Sequence, residues 1–92
     1  MSYQIAMPEQ LTFDTVPHAL EALKKQFQEH TSVELSFASV QHIDSSSIAL
    51  MLALLRYAEK HKMQLAFSHP SPQLLKIIRV GGLESMIPFV SE

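Results

Sequence analysis

Cysteine is absent from this chain of 92 residues. Disulfides, thiolate zinc sites and cysteine nucleophiles are therefore excluded. Glycine is scarce: its two copies are neighbours, Gly81 and Gly82. No glycine-rich loop exists to cradle a phosphate. Most turns must then be made by proline, serine, aspartate and histidine. Neither sign of charge dominates, with seven Lys and Arg against nine Asp and Glu and a formal net charge of −2. That balance makes no electrostatic case for nucleic acid as the main ligand. The basic residues are scattered too, at Lys24, Lys25, Lys60, Lys62, Lys76 and Arg79, as solvated helix faces would have them. No long hydrophobic run occurs. The longest, from Ile48 to Leu55, falls far short of the roughly 20 residues needed to cross a bilayer. The opening residues, MSYQIAMPEQ, lack the basic start and apolar centre of a signal peptide. A cytoplasmic protein is expected, able to reach a membrane only through a partner.

What is present suffices for a core. The chain is 47% hydrophobic, and its length suits one domain over residues 1–92. Tyr3 to Met7 is expected as a short edge strand ended by Pro8. Val16, Leu20, Leu23 and Phe27 recur at helix spacing. Asp14 or Thr15 can cap that helix, Pro17 is tolerated in its first turn, and it should fade near His30. Val33, Leu35 and Phe37 alternate with Glu34 and Ser36, the pattern of a half-buried strand. A second helix is expected from the serines after Asp44 to about His61, with Asp44 or Ser45 as its cap. Met63, Leu65 and Phe67 alternate again. Ser71 can cap a third helix with Pro72 at its first position, and Gly81 or Gly82 ends it. Leu74, Leu75, Ile77 and Ile78 form its apolar face. Ile87 to Val90 could add a last short strand or pack across the helices. Strands and helices alternate, which predicts an α/β fold with a small, mostly parallel or mixed sheet and helices packed on it.

The stretch HIDSSSIALMLALLR, from His42 to Arg56, sets three adjacent serines against an apolar run. A helix turns about 100° per residue. With charged Arg56 at the centre of the solvent face, Ser45, Ala49, Leu52 and Ala53 fall within roughly 60° of it, and Ile48 lies a little further round. Ser47, Met51, Leu54 and Ala58 face the core, with Leu50 and Leu55 on the flanks. Ser47 then lets the helix start sit close to the sheet. Ser45 points outward, at the end of an exposed apolar strip. Such a strip suggests a protein-binding surface. The expected partner-binding residues are Asp44, Ser45, Ser46, Ile48, Ala49, Leu52 and Arg56.

The ordered segment from Val33 to Ile87 resembles the STAS domain, the fold shared by sulfate transporters and anti-sigma factor antagonists. The resemblance is carried by Asp44-Ser45-Ser46-Ser47, the strand Met63 to Ser68, the turn Pro70-Ser71-Pro72, and Gly82-Leu83. It implies a non-enzymatic binding module without a cofactor. In anti-sigma factor antagonists the serine after the aspartate is phosphorylated by a partner kinase. By position that phosphoacceptor is Ser45. A phosphate there would add about −1.5 to −2 charges in an apolar strip, at a helix start whose dipole and N–H groups favour anions. Two departures stand out. Ser47 replaces the usual glycine, and Leu11-Thr12 replaces a usual Leu-Asp pair. With the short N-terminal segment, they are more similar to the small STAS subunit of bacterial phospholipid-transport ABC systems of the Mla type. IALMLALLRYA is similar to the apolar helix of that group. The implied partner is the cytoplasmic ATPase, with the helix-start hydroxyl in the contact. A serine kinase is the alternative partner, and a lipid or small ligand a weaker option.

His42, Asp44 and Ser45 do not make a catalytic triad by adjacency, because triads are defined by geometry. No glycine-flanked nucleophile turn accompanies them. The five histidines are spread along the chain without close metal-ligand spacing. Neither an enzyme nor a metal protein is expected.

Overall fold

The computed structural model describes residues 2–87, 89 and 90. Its elements run β1 (Tyr3–Ala6), β2 (Gln10–Leu11), α1 (Val16–Phe27), β3 (Ser32–Ser36), β4 (His42–Ile43), α2 (Ser46–Lys60), β5 (Gln64–Ser68) and α3 (Pro72–Val80). The main sheet has the order β1-β3-β5, and both of its pairings are parallel. β1 is an edge, as its short, proline-ended sequence predicts. On the other side, Phe89 forms a parallel bridge to Phe67, and Val90 donates its N–H to the Phe67 carbonyl at 2.9 Å. The last segment therefore adds to the sheet.

Register explains the core. Ile5, Leu35 and Phe67 lie side by side across the strands, and all three are buried. The intervening row, Gln4, Glu34 and Ala66, is exposed or half-buried. Parallel sheets are usually covered on both faces. Here the strand alternation marks one wet face. The helices bury Ala19, Leu23 and Phe27 from α1, Leu50, Met51 and Leu54 from α2, and Leu74 and Ile78 from α3 in one cluster with the sheet. Burying a side chain of this size contributes about 1.5–3 kcal/mol.

Four readings are corrected. α1 ends at Phe27, about a turn before His30, because backbone turns back to Lys25 and Phe27 close it. Leu75 is 40% exposed, so α3 buries a narrower face than its four apolar residues suggest. Leu50 is not on a flank. It is buried, because the core stripe of α2 broadens to take in Ser47, Leu50, Met51, Leu54 and Ala58. Finally, β2 and β4 were not anticipated. They pair in parallel, with Gln10 beside His42 and Leu11 beside Ile43, and two residues per strand are too few for any periodicity.

The end of α3 follows its residues. The Ser71 hydroxyl accepts the Leu74 N–H at 3.1 Å, Pro72 opens the helix, and Gly82 takes φ 69° just beyond it. A residue with a side chain is disfavoured at that angle.

The facing of α2 is open to test by chemical denaturation. Leu54→Ala, at a fully buried position, should cost about 2–5 kcal/mol. Arg56→Ala, two residues on and about 200° round on the exposed face, should leave the midpoint nearly unchanged.

Candidate functional site

Asp44 lies between β4 and α2, and its polar atoms bind in several directions. Its N–H donates to the Leu11 carbonyl at 3.2 Å. Oδ2 accepts the Phe13 N–H at 3.0 Å. Oδ1 accepts the Ser46 N–H at 2.9 Å and also the Ser46 hydroxyl. Its carbonyl accepts the Ser47 N–H at 3.1 Å and the Ser47 hydroxyl at 2.8 Å. One residue thus joins the turn before α1 to the start of α2. Aspartate suits the position because its short carboxylate reaches N–H groups two residues on. It also places negative charge at the positive end of the helix dipole.

Of the two caps the sequence suggests, Asp44 and Ser45, the carboxylate does the capping. Ser45 occupies the N-cap position, yet its side chain makes no capping bond. The aspartate before it takes the first N–H of the helix. Ser46 is turned toward Asp44. Ser47 is fully buried and bonds the Asp44 carbonyl. Ser45 alone of the three is exposed. The first-turn N–H groups are not free for an anion either. Those of Ser46, Ser47 and Ile48 go to Asp44 Oδ1, the Asp44 carbonyl and the Ser45 carbonyl.

Along α2, Ser45, Ala49 and Arg56 are exposed, while Ile48 and Leu52 are half-buried. The exposed strip expected from helix geometry is thus narrower than predicted: of its apolar residues only Ala49 is exposed, Leu52 and Ala53 are half-buried, and Ile48 packs in part against the core. The strip does not stand alone. Ser45 and Ile48 form one wall of a groove of about 510 Å³, and Lys76, Ile77, Val80, Gly81 and Leu83 form the rest. Val80 is 80% exposed. The α3 residues escaped sequence reasoning, although Val80 sits on α3 just before Gly81 without a place in its buried stripe. Phe13 escaped it too. It is 80% exposed in the turn held by Asp44. A second hollow, about 430 Å³ between α1 and the β1–β2 segment, includes none of the serine-step residues.

Among the described residues, no three His, Cys, Asp or Glu side chains could hold a metal ion, and no helix is long and apolar enough to cross a membrane. Among them too, the His42 ring makes no hydrogen bond to Asp44 or Ser45, whose neighbours are those given above.

The family model described as Mlab, STAS domain matches residues 2–88. This chain belongs to the STAS domain family. The match reaches well beyond the Val33 to Ile87 segment that carried the resemblance. Solved STAS structures agree in fold. The unphosphorylated anti-sigma factor antagonist SpoIIAA is 21% identical with a TM-score of 0.73, over 97% of this chain and 79% of that one. A candidate anti-sigma factor antagonist of Thermotoga maritima is 15% identical with a TM-score of 0.81, over 97% and 80%. The Bacillus cell fate determinant SpoIIAA in its phosphorylated form is 23% identical with a TM-score of 0.67, over 97% and 82%. No curated protein matches the chain.

Hydrogen bonding also acts on the charge of Asp44. The Ser46 hydroxyl, then the Phe13 N–H, and least the Ser46 N–H hold its carboxyl below the ordinary 3.8, against a weaker opposing effect of desolvation. A lowered native pKa stabilises the fold at pH values above the unfolded pKa. That contribution disappears as pH falls through the native pKa. Thermal melts of wild type and Asp44→Asn between about pH 6 and pH 2 test this. The variant should melt several degrees lower at pH 6, and the gap should close toward pH 2.

Proposed function

We propose that this STAS domain is a non-enzymatic docking subunit that binds and supports the ATPase of a phospholipid-transport ABC system. It would lie at the cytoplasmic face of the inner membrane, reaching the membrane only through that partner. The observation that carries the reading is the exposed Ser45 hydroxyl, set at one end of an apolar strip that continues into the α2–α3 groove. A contiguous apolar surface on a small domain marks a contact site. The family description names the Mla type. In this reading Ile48, Ala49, Leu52 and Arg56 touch the partner beside Ser45. Asp44 and Ser46 spend their polar atoms inside the chain and position the surface.

A second reading has its own support. SpoIIAA is described in unphosphorylated and phosphorylated forms, and Ser45 is the exposed serine after the aspartate. A kinase would then control docking through a phosphate on Ser45. The electrostatics do not separate the two. The neighbouring Asp44 carboxylate is held in its charged form and the first-turn N–H groups are already bonded, whereas Lys76 lines the same groove as Ser45 and is a cation available to a phosphate.

Affinity capture from native cell extract, read by mass spectrometry, separates the two. Wild type should recover an ABC-transporter ATPase, and Ser45→Asp and Leu52→Glu should each reduce recovery about tenfold or more. Recovery of a serine kinase, with phosphate on Ser45, would replace the first reading with the second.

A further inference from the structure

The chain has five phenylalanines. Phe27, Phe37 and Phe67 are buried in the core, and Phe89 packs against it. Phe13 is the exception, at 80% exposed. Among the described residues its ring makes no ring contact, whereas the exposed Tyr3 stacks on His30 at 3.9 Å. Nor does Phe13 staple the start of α1, where such a ring would be covered. Its side chain therefore has no packing role within the chain.

A phenylalanine on a loose loop can fold back onto the nearest apolar surface. The backbone that carries Phe13 is tied on every side. Its own N–H donates to Asp44 Oδ2 at 3.0 Å. The Thr12 carbonyl accepts the N–H groups of Thr15 at 2.9 Å and Val16 at 3.0 Å. The Thr12 N–H donates to Thr15 Oγ1 at 2.9 Å, and that hydroxyl donates to the Gln10 carbonyl at 2.9 Å. The turn is thus ordered before any partner arrives. A ring held this way has two side-chain torsions left to fix on binding, which is what makes rigid aromatics effective contacts. Its place is also fixed. Asp44 directly precedes Ser45, and its other oxygen takes the first N–H of α2. The same carboxylate that sets the start of α2 therefore sets the Phe13 turn beside it, so the ring continues the docking edge that begins at Ser45. Exposed aromatics at fixed positions carry a large share of binding energy in protein interfaces. We infer that Phe13 is the aromatic anchor of this edge, inserting into an apolar pocket of the ATPase next to the surface that meets Ser45. This rests on the docking reading above and adds the residue that anchors the partner.

Affinity capture from native extract with Phe13→Ala beside wild type and Leu52→Glu tests this. Phe13→Ala should lower recovery of the ATPase about thirtyfold, while its thermal melt matches that of wild type because the ring lies outside the core. In a second measurement p-benzoylphenylalanine replaces Phe13, and the chain is photolysed in the extract. The cross-link should form to the ATPase, at apolar residues. Wild-type recovery by Phe13→Ala, alongside loss in Leu52→Glu, would leave docking standing and overturn the anchor. So would recovery lost in Phe13→Ala without any cross-link from position 13 to the ATPase, since the ring would then act at a distance. Failure of wild type to recover an ATPase, or recovery indifferent to both Phe13→Ala and Leu52→Glu, would overturn both.

Discussion

The fold of this protein around the start of α2 depends on how Asp44 is hydrogen-bonded. One carboxylate oxygen holds the turn that carries Phe13, and the other holds the first N–H of α2. The main chain of Asp44 bonds Leu11 on one side and Ser47 on the other. The short β2–β4 pairing sits directly behind it. These bonds fix where α2 begins and how it is rotated. Rotation then decides the fate of each serine: Ser46 toward the carboxylate, Ser47 into the core, Ser45 into solvent.

From that rotation the surface follows. An α-helix repeats its faces with a fixed period, so fixing Ser47 inside also fixes Met51, Leu54 and Ala58 inside. The same geometry leaves Ser45, Ala49 and Arg56 outside, with Ile48 and Leu52 at the boundary. α3, capped by Ser71 and ended at the glycines, supplies the opposite wall with Ile77 and Val80. The α2 start, the docking edge proposed above, has polar groups that are largely satisfied within the chain. In that reading it offers a partner apolar area and the Ser45 hydroxyl.

Much of this was legible in the residues. The strands showed because one face of the sheet is wet, which preserves the alternation of Val33, Leu35 and Phe37. The outward strip showed because charged Arg56 marks the solvent side of an otherwise apolar helix. Of the two caps read for α2, Asp44 or Ser45, the structure selects Asp44, for a local reason. Asp and Ser are both good capping residues, and choosing between adjacent candidates depends on which oxygen reaches the first N–H. β2 and β4 were too short to carry a pattern. The α3 wall was hidden because Val80, outside the apolar face read for α3, gains meaning only when α3 is placed beside the start of α2. Phe13 depends on a bond from Asp44, thirty-one positions along the chain, and such long-range pairing leaves no periodic trace.

The most direct test of the account is hydrogen–deuterium exchange of this chain free and mixed with the proposed partner, an ABC-transporter ATPase. Protection confined to the Phe13 turn, the first half of α2 and the residues from Lys76 to Leu83 is the predicted result. Protection centred instead on the β1 edge, or on the hollow between α1 and β1, would contradict it.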